Sequence, residues 1–283
     1  MVLLDGKETA RKTRERLKTE VDHLKEIGIS PKLAVIMVGN NSASQIYVRN
    51  KSKACNEIGI EFEEYLLSQD TTQDELITLI EGLNSKKDIN GILLQSPIPD
   101  SLDINEAFRT ISPEKDVDGF HPINVGKLVL GQDTFVSCTP FGVMKILEEY
   151  NIDIEGKHAV IIGRSNIVGK PMSQCLLNKN ATVTICHSRT RDLEKITKQA
   201  DILVAAIGKA GFVTEDMVKD GAIIIDVGIN RTDEGKIKGD VDFDNVSKKA
   251  SYITPVPGGV GPMTIAMLMN NLVKATKLQN NID

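Results

Sequence analysis

Four short apolar runs in the second half of the chain limit its fold more than any other feature. They are HAVIIG from His158, ATVTICH from Ala181, DILVAAIG from Asp201 and AIIIDVGIN from Ala222. Each reads as a strand, and their near-continuous apolar character suits a parallel sheet covered on both faces. Helical or turn segments separate them. Two further runs, LAVIMVG from Leu33 and GILLQSP from Gly91, lie between helical patterns in the first half. Alternation of this kind predicts an α/β protein.

The first half sharpens that expectation. Leu17, Val21 and Leu24 fall at helical spacing within Asp5–Ile27, and Pro31 stops the helix. Ser42–Ile58 reads as a second helix ended by Gly59, Phe62–Leu67 as a strand and Thr71–Asn84 as a third helix. Ser112–Thr139, rich in Pro, Gly, Asp and Asn, reads as a long irregular connection, of the kind that often carries function. A helix is expected over Thr139–Tyr150, with Pro140 in its first turn. Another is expected near Thr264–Thr276, after the loop PVPGGVGPM. Its apolar face needs a partner, and a return to the first half is expected.

At 283 residues and 41% hydrophobic, the chain has enough apolar material for one large core or two ordinary ones. Its net charge of −5 is spread over interspersed acids and bases, and no basic stripe points to nucleic acid. Cys55, Cys138, Cys175 and Cys186 form no CxxC pair, which favours reduced thiols over a disulfide framework or a zinc site. No metal is expected. The first residues turn charged at once, and no apolar run approaches a membrane span of about 20 residues. A cytoplasmic protein is expected.

VIIGRSNIVGKP, from Val160, reads as a strand, a glycine turn and a helix start. Gly163 permits a tight turn, Gly169 permits close approach, and the exposed amides and helix dipole favour a phosphate. Ser165 replaces the second glycine of the usual dinucleotide fingerprint, and a plain strand-to-helix turn would look similar. The next strand ends in CHSRTRD. No acid stands at that tip to hold a ribose 2′-hydroxyl, whereas Ser188, Arg189 and Arg191 suit a 2′-phosphate. The alternative is a solvated basic turn.

On the second helix, Ser44, Tyr47 and Lys51 share one face. A surface lysine over a packed tyrosine is the plainer reading. Gln95 closes a strand at its carboxyl end, where open α/β sheets carry their sites, although a glutamine there also suits a turn. Asp116 and Asp118 precede Gly119, where aspartates commonly cap turns.

Taken in order, YVRNKSKACNEIGI, GILLQSPIP, PEKDVDGFHPINVGKL, CTPFGVMKIL, GRSNIVGKPM and TPVPGGVGPMT resemble the motifs of bifunctional methylenetetrahydrofolate dehydrogenase/cyclohydrolases. The resemblance runs from near residue 40 to the final helix. Ser96 departs from the family's usual leucine and leaves Gln95 and both prolines in place. The resemblance implies a folate-binding catalytic domain over residues 1–139 plus 264–283. It implies a Rossmann-like NADP-binding domain over residues 140–263.

By the same resemblance, Lys51 is the catalytic lysine and Tyr47 lines the folate site. Gln95 hydrogen-bonds Lys51, and Asp118 holds the pterin. Gly163, Arg164, Ser165, Ser188, Arg189 and Ile229 contact NADP, and Pro257, Gly258 and Gly259 shape the substrate cleft. The implied partners are tetrahydrofolate derivatives and a second copy of the chain. Two other readings compete: an NADP-dependent dehydrogenase without the hydrolytic step, and an NADP-binding regulator that has lost catalysis.

Overall fold

The computed structural model describes residues 1–232 and 235–282. In chain order the elements are β1 (Val2–Leu3), α1 (Gly6–Glu26), β2 (Lys32–Val38), α2 (Ser42–Ile58), β3 (Glu61–Leu67), α3 (Gln73–Ser85) and β4 (Gly91–Gln95). Then come α4 (Ile104–Thr110), α5 (Pro122–Val129), α6 (Cys138–Glu149), β5 (His158–Ile162), α7 (Gly169–Leu177), β6 (Thr182–Cys186), α8 (Leu193–Thr197) and β7 (Ile202–Ala205). After a short 3₁₀ turn follow β8 (Ile223–Asp226), β9 (Asn230–Arg231), β10 (Ile237–Lys238), α9 (Phe243–Val246), β11 (Tyr252–Ile253) and α10 (Val260–Gln279).

The chain divides into two compact units. One comprises residues 12–136 and the stretch from Leu268 onward, the other residues 1–11 and 137–267. The expected division put residues 1–139 with 264–283. The first eleven residues instead lie with the other unit, because β1 pairs in parallel with β11. A two-residue strand shows no periodicity that a sequence reading could use. The expected end at Asp283 falls outside the described residues.

The first unit is built on a parallel sheet of order β3-β2-β4. Its central strand β2 is buried from Leu33 to Val38, which explains the unbroken apolar run. Ala34, Ile36 and Val38 join Leu76, Ile80 and Leu83 of α3 in one core cluster. Helix α3 starts at a capping box between Thr72 and Glu75. At its other end the buried ammonium of Lys115 donates to the carbonyls of Leu83, Asn84 and Lys86. Carbonyls at a helix's C-terminal end lack intrahelical donors, and the ammonium adds to the Lys86 N bond that Leu83 O already accepts.

The segment around Lys115 runs beside β4, with Ile92 N donating to Lys115 O at 2.8 Å and Ile92 paired in parallel with Asp116. The C-terminal part of α10 returns to this unit, as expected. Buried Asn271 donates from Nδ2 to Val117 O at 2.9 Å and Val136 O at 3.0 Å. Gln279 Nε2 donates to Asn90 O and Glu114 O.

The second unit carries a parallel sheet of order β1-β11-β8-β7-β5-β6. The contiguous run β8-β7-β5-β6 holds the four strands expected from sequence. From β5 the chain passes to β6 on one side and then to β7 on the other, so the order reverses between β5 and β7. Ligands of doubly wound sheets sit outside the carboxyl ends of the strands at such a point.

Two local expectations need correction. Ser112–Thr139 is not wholly irregular, because α5 lies inside it. Pro122 takes the first helical position, and His121 Nδ1 accepts from Ile123 N at 3.0 Å. Histidine is not among the usual N-cap residues, so this start carries no ordinary sequence signature. Helix α10 begins at Val260, four residues before the expected Thr264. Pro262 lies in its first turn, where the missing N–H costs nothing.

Asn271 bridges two otherwise separate carbonyls. Asn271→Ala should destabilise the chain by about 1–3 kcal/mol by stranding both acceptors, read as a lower urea midpoint. An unchanged midpoint would remove this side chain from the stabilising set.

Candidate catalytic and nucleotide sites

In the three-stranded unit the critical geometry is direct. Helix α2 leaves β2 after a short turn, and Asn41 caps it by accepting from Ser44 N at 3.0 Å. Three turns along, half-buried Lys51 donates from Nζ to Gln95 Oε1 at 2.8 Å. Gln95 is buried at the carboxyl end of β4. Its Nε2 donates to Ser96 O at 2.6 Å, so its carbonyl oxygen faces the lysine. The ammonium is thereby held at the carboxyl edge of the sheet.

Tyr47, one turn before Lys51, is 41% exposed, so its ring is not the packed core residue of the plainer reading. Ser44 on the same face is fully buried, and its hydroxyl finds no hydrogen-bond partner among the described residues. Arg49 and Lys53 are exposed, as expected. Nearby Cys55 is buried, and burial pushes its thiol up to about 12. All four cysteines are buried and unpaired by disulfides.

The two aspartates of KDVDGFHP separate cleanly. Asp116 is a turn former: Oδ1 accepts from Phe120 N, and Oδ2 from His121 N and Asn124 Nδ2. Burial shifts its carboxyl upward. Asp118 lies beyond the Ile92–Asp116 pairing, toward the same sheet end as Gln95, and stays half-buried. Asp116 thus fulfils the turn-capping reading.

In the six-stranded unit the switch point is lined by backbone. Gly163, at φ +129°, follows β5, and a Cβ there would lie 2.3 Å from Ala206 O just after β7. A Cβ on Gly169 would lie 2.2 Å from Gly163 O. Only glycine fits either place, and together they draw the β5–α7 turn tight against β7. This cradle suits a dinucleotide.

One expectation about the turn changes. The amides at the start of α7 are not all open, because Ser165 Oγ accepts from Val168 N at 3.1 Å and Gly169 N at 3.3 Å. The residue in the second glycine position caps the helix instead. Arg164 and Ser165 are themselves exposed.

Neighbouring β6 ends in register, Ile162 opposite Cys186, so Ser188 and Arg189 leave the sheet beside Arg164. Both are exposed, on a turn fixed by His187 N donating to Thr190 Oγ1 and Arg189 N donating to His187 Nδ1. Ile229, beyond β8, is 47% exposed, and its Cδ1 lies beside Gly261. Pro257, Gly258 and Gly259 form the loop before α10, held by Lys7 N donating to Gly258 O.

Sequence reasoning missed two buried carboxylates here, Asp226 and Asp240. Asp226 closes β8 and accepts from the amides of Gly228, Asp240 and Val241. Burial is the main cause that raises its carboxyl to about 6, and the neighbouring charge of Asp240 adds to it. Among the described residues no group of three or more His, Cys, Asp and Glu side chains could hold a metal ion. No described helix is long and apolar enough to cross a membrane.

The six-stranded unit thus has the form of a dinucleotide-binding α/β domain, joined in one chain to a unit that presents a lysine at a sheet edge. Residues 4–118 match the catalytic-domain model of tetrahydrofolate dehydrogenase/cyclohydrolase, and residues 137–280 match the NAD(P)-binding-domain model of the same enzymes. The chain belongs to this family. It is 58% identical over 277 residues to the bifunctional protein FolD of Campylobacter concisus, covering 98% of each chain. With the FolD of Bacillus subtilis it shares 53% identity, covering 97% of each.

Among solved structures, the FolD methylenetetrahydrofolate dehydrogenase/cyclohydrolase of Campylobacter jejuni superposes with a TM-score of 0.97. It has 56% identity and covers 98% of this chain and 99% of that one. The Trypanosoma brucei N5,N10-methylenetetrahydrofolate dehydrogenase-cyclohydrolase, complexed with NADP and an inhibitor, gives 0.94 at 38% identity, with 98% of each chain covered.

Asp226 yields a pH prediction. Its folded pKa lies above the ordinary value of 3.8, so the folded state holds the proton more tightly than the unfolded chain. Stability from this group is present at low pH and is lost as pH rises toward about 6. Asp226→Asn removes the titration. Wild-type stability relative to that variant should fall by as much as about 3 kcal/mol between pH ~4 and ~7. Urea midpoints across that range measure it, and parallel curves would contradict the assignment.

Proposed function

We propose that the chain oxidises 5,10-methylenetetrahydrofolate to 5,10-methenyltetrahydrofolate with NADP, then hydrolyses the product to 10-formyltetrahydrofolate. The observation that carries this reading is the Lys51–Gln95 hydrogen bond at 2.8 Å, in a chain of the dehydrogenase/cyclohydrolase family. NADP, when bound, accepts hydride from the one-carbon bridge of the substrate. That carbon lies between two nitrogens that stabilise the resulting cation, so positioning supplies most of the catalysis.

The hydrolytic step needs residues that move protons. Water adds to the methenyl carbon, its proton departs, and one carbon–nitrogen bond of the ring opens. Lys51 is placed to exchange those protons, and Gln95 fixes its orientation. A cationic substrate disfavours the charged form of an adjacent lysine, which assists the exchange. The exposed Tyr47 ring lines the folate, and Asp118 accepts from adjacent N–H donors on the pterin edge.

In the six-stranded unit, Gly163, Ser165 and Ile229 pack the dinucleotide, while Ser188, Arg189 and Arg164 meet the 2′-phosphate. The division of labour puts folate with residues 12–136 and NADP with residues 137–267. A homodimer working in the cytoplasm fits the same reading. The edge strand β6 and helix α7 leave Ile185 and Leu177 exposed, a surface suited to a second copy.

Purified protein given methylenetetrahydrofolate and NADP, with methenyl and formyl products followed separately, tests both steps at once. Lys51→Met should abolish hydrolysis of methenyltetrahydrofolate with NADP affinity retained, since the two belong to different units. Normal hydrolysis by the folded variant would take Lys51 out of the mechanism.

Cofactor choice gives a separate prediction. Arg189→Ala should weaken NADP by about 1–3 kcal/mol, the range for a charged hydrogen bond, with little change for NAD. An unsubstituted enzyme whose kcat/KM with NAD matches that with NADP would contradict the reading of this strand tip.

A further inference from the structure

Asp240 lies on none of the surfaces discussed so far. It follows the short hairpin β9–β10, far from the glycine turn in sequence, and is fully buried. Its carboxylate nonetheless reaches the switch point. Oδ2 accepts from Ile207 N at 2.7 Å and Gly208 N at 3.0 Å, and Oδ1 accepts from Lys209 N at 2.8 Å. These are the amides of the loop immediately beyond β7, whose first residue, Ala206, closes on Gly163.

The same carboxylate governs the next loop. Oδ1 also accepts from Asn230 Nδ2 at 2.9 Å, one residue past Ile229. A Cβ on Gly228 would lie 2.3 Å from Asp240 Cγ, so the backbone beyond β8 passes directly over the carboxyl group. Asp226 holds Asp240 in turn, with its Oδ1 accepting from Asp240 N at 2.9 Å. A Cβ on Gly239 would lie 1.9 Å from Asp226 Oδ2, so the strand leading to Asp240 is also fitted to its neighbour.

We propose that Asp240 is a positioning residue of the nicotinamide-dinucleotide site: one buried carboxylate fixes the loops beyond both β7 and β8 in their binding shape before the cofactor arrives. The inference rests on the NADP reading above. A buried anion needs compensating donors, and here the donors are the loop amides themselves. The amides of Ile207, Gly208 and Lys209 are committed inward, so the loop meets the cofactor by its shape. A loop ordered in advance does not have to be ordered on binding, which raises affinity without any direct contact. Asp240 touches neither substrate nor cofactor in this scheme and acts only through the loops.

Two measurements test it. In the first, Asp240→Asn and Asp240→Ala are compared with the unsubstituted chain for NADP affinity and for the KM of the folate substrate. The alanine variant should weaken NADP about ten- to a hundredfold, with the folate KM within about twofold. The asparagine variant keeps one acceptor oxygen and should recover part of the loss. Unchanged NADP affinity in a folded variant would overturn the proposal, and so would parallel losses for NADP and folate.

The second measurement needs no variant, so it stands even where both fail to fold. Amide hydrogen exchange of the unsubstituted, cofactor-free chain should show Ile207, Gly208 and Lys209 protected. Free exchange until NADP is added would overturn the idea of a loop set in advance. Failure of the unsubstituted chain to bind NADP would sink the cofactor reading itself, an outcome distinct from either of these.

Discussion

Parallel strand pairing is the constraint from which the rest of each unit follows. Every strand in both main sheets runs in the same direction as its neighbours, so successive strands need crossovers, and α2, α3, α7 and α8 supply them. Every loop at the carboxyl edge is then free to carry chemistry. Gln95, Gly163, Ser188, Ala206 and Asp226 all stand at or just past such strand ends. Burial on both faces is what allows it, and that burial is visible in the apolar runs of β2, β5, β7 and β8. Stability and site placement therefore come from the same residues.

Much of this was legible because the strongest signals are local. The runs in β5 to β8, the helix Ser42–Ile58 and its glycine stop can be read without knowing what packs on them. Type and position alone leave Lys51 and Gln95 as weak candidates; the family resemblance implies their hydrogen bond, and the structure shows it. Asp116 and Asp118 show where local reading ends. Both are aspartates before a glycine, and only the fold assigns the Phe120 and His121 amides to one of them. Ser165 is similar: its effect on the helix start depends on a hydroxyl direction that no spacing encodes.

Asp226 and Asp240 were illegible for a different reason. In sequence Asp226 stands between Ile225 and Val227, and Asp240 between Gly239 and Val241, and neither setting shows which donors a buried acid there would meet. Their burial is a property of the β8 carboxyl end and the returning hairpin, brought together across fourteen positions (240 − 226). The two-residue strands β1 and β11 are hidden similarly, since pairing alone distinguishes them from loop. Long-range partners gave these groups their state, and no window along the chain contains those partners.

The Asn271 bonds to Val117 and Val136 have a temporal consequence. During synthesis, residues 12–136 leave the ribosome long before the α10 turn that ties off their carbonyls. All of residues 137–267 must be made in between. The leading strand β1 likewise waits for β11 before it can pair. A nascent chain therefore carries a provisional first unit, with its last helical support still untranslated. Completion of that unit is coupled to the synthesis of the other. Neither unit can be released by a single proteolytic cut, because each is assembled from two separate stretches of chain.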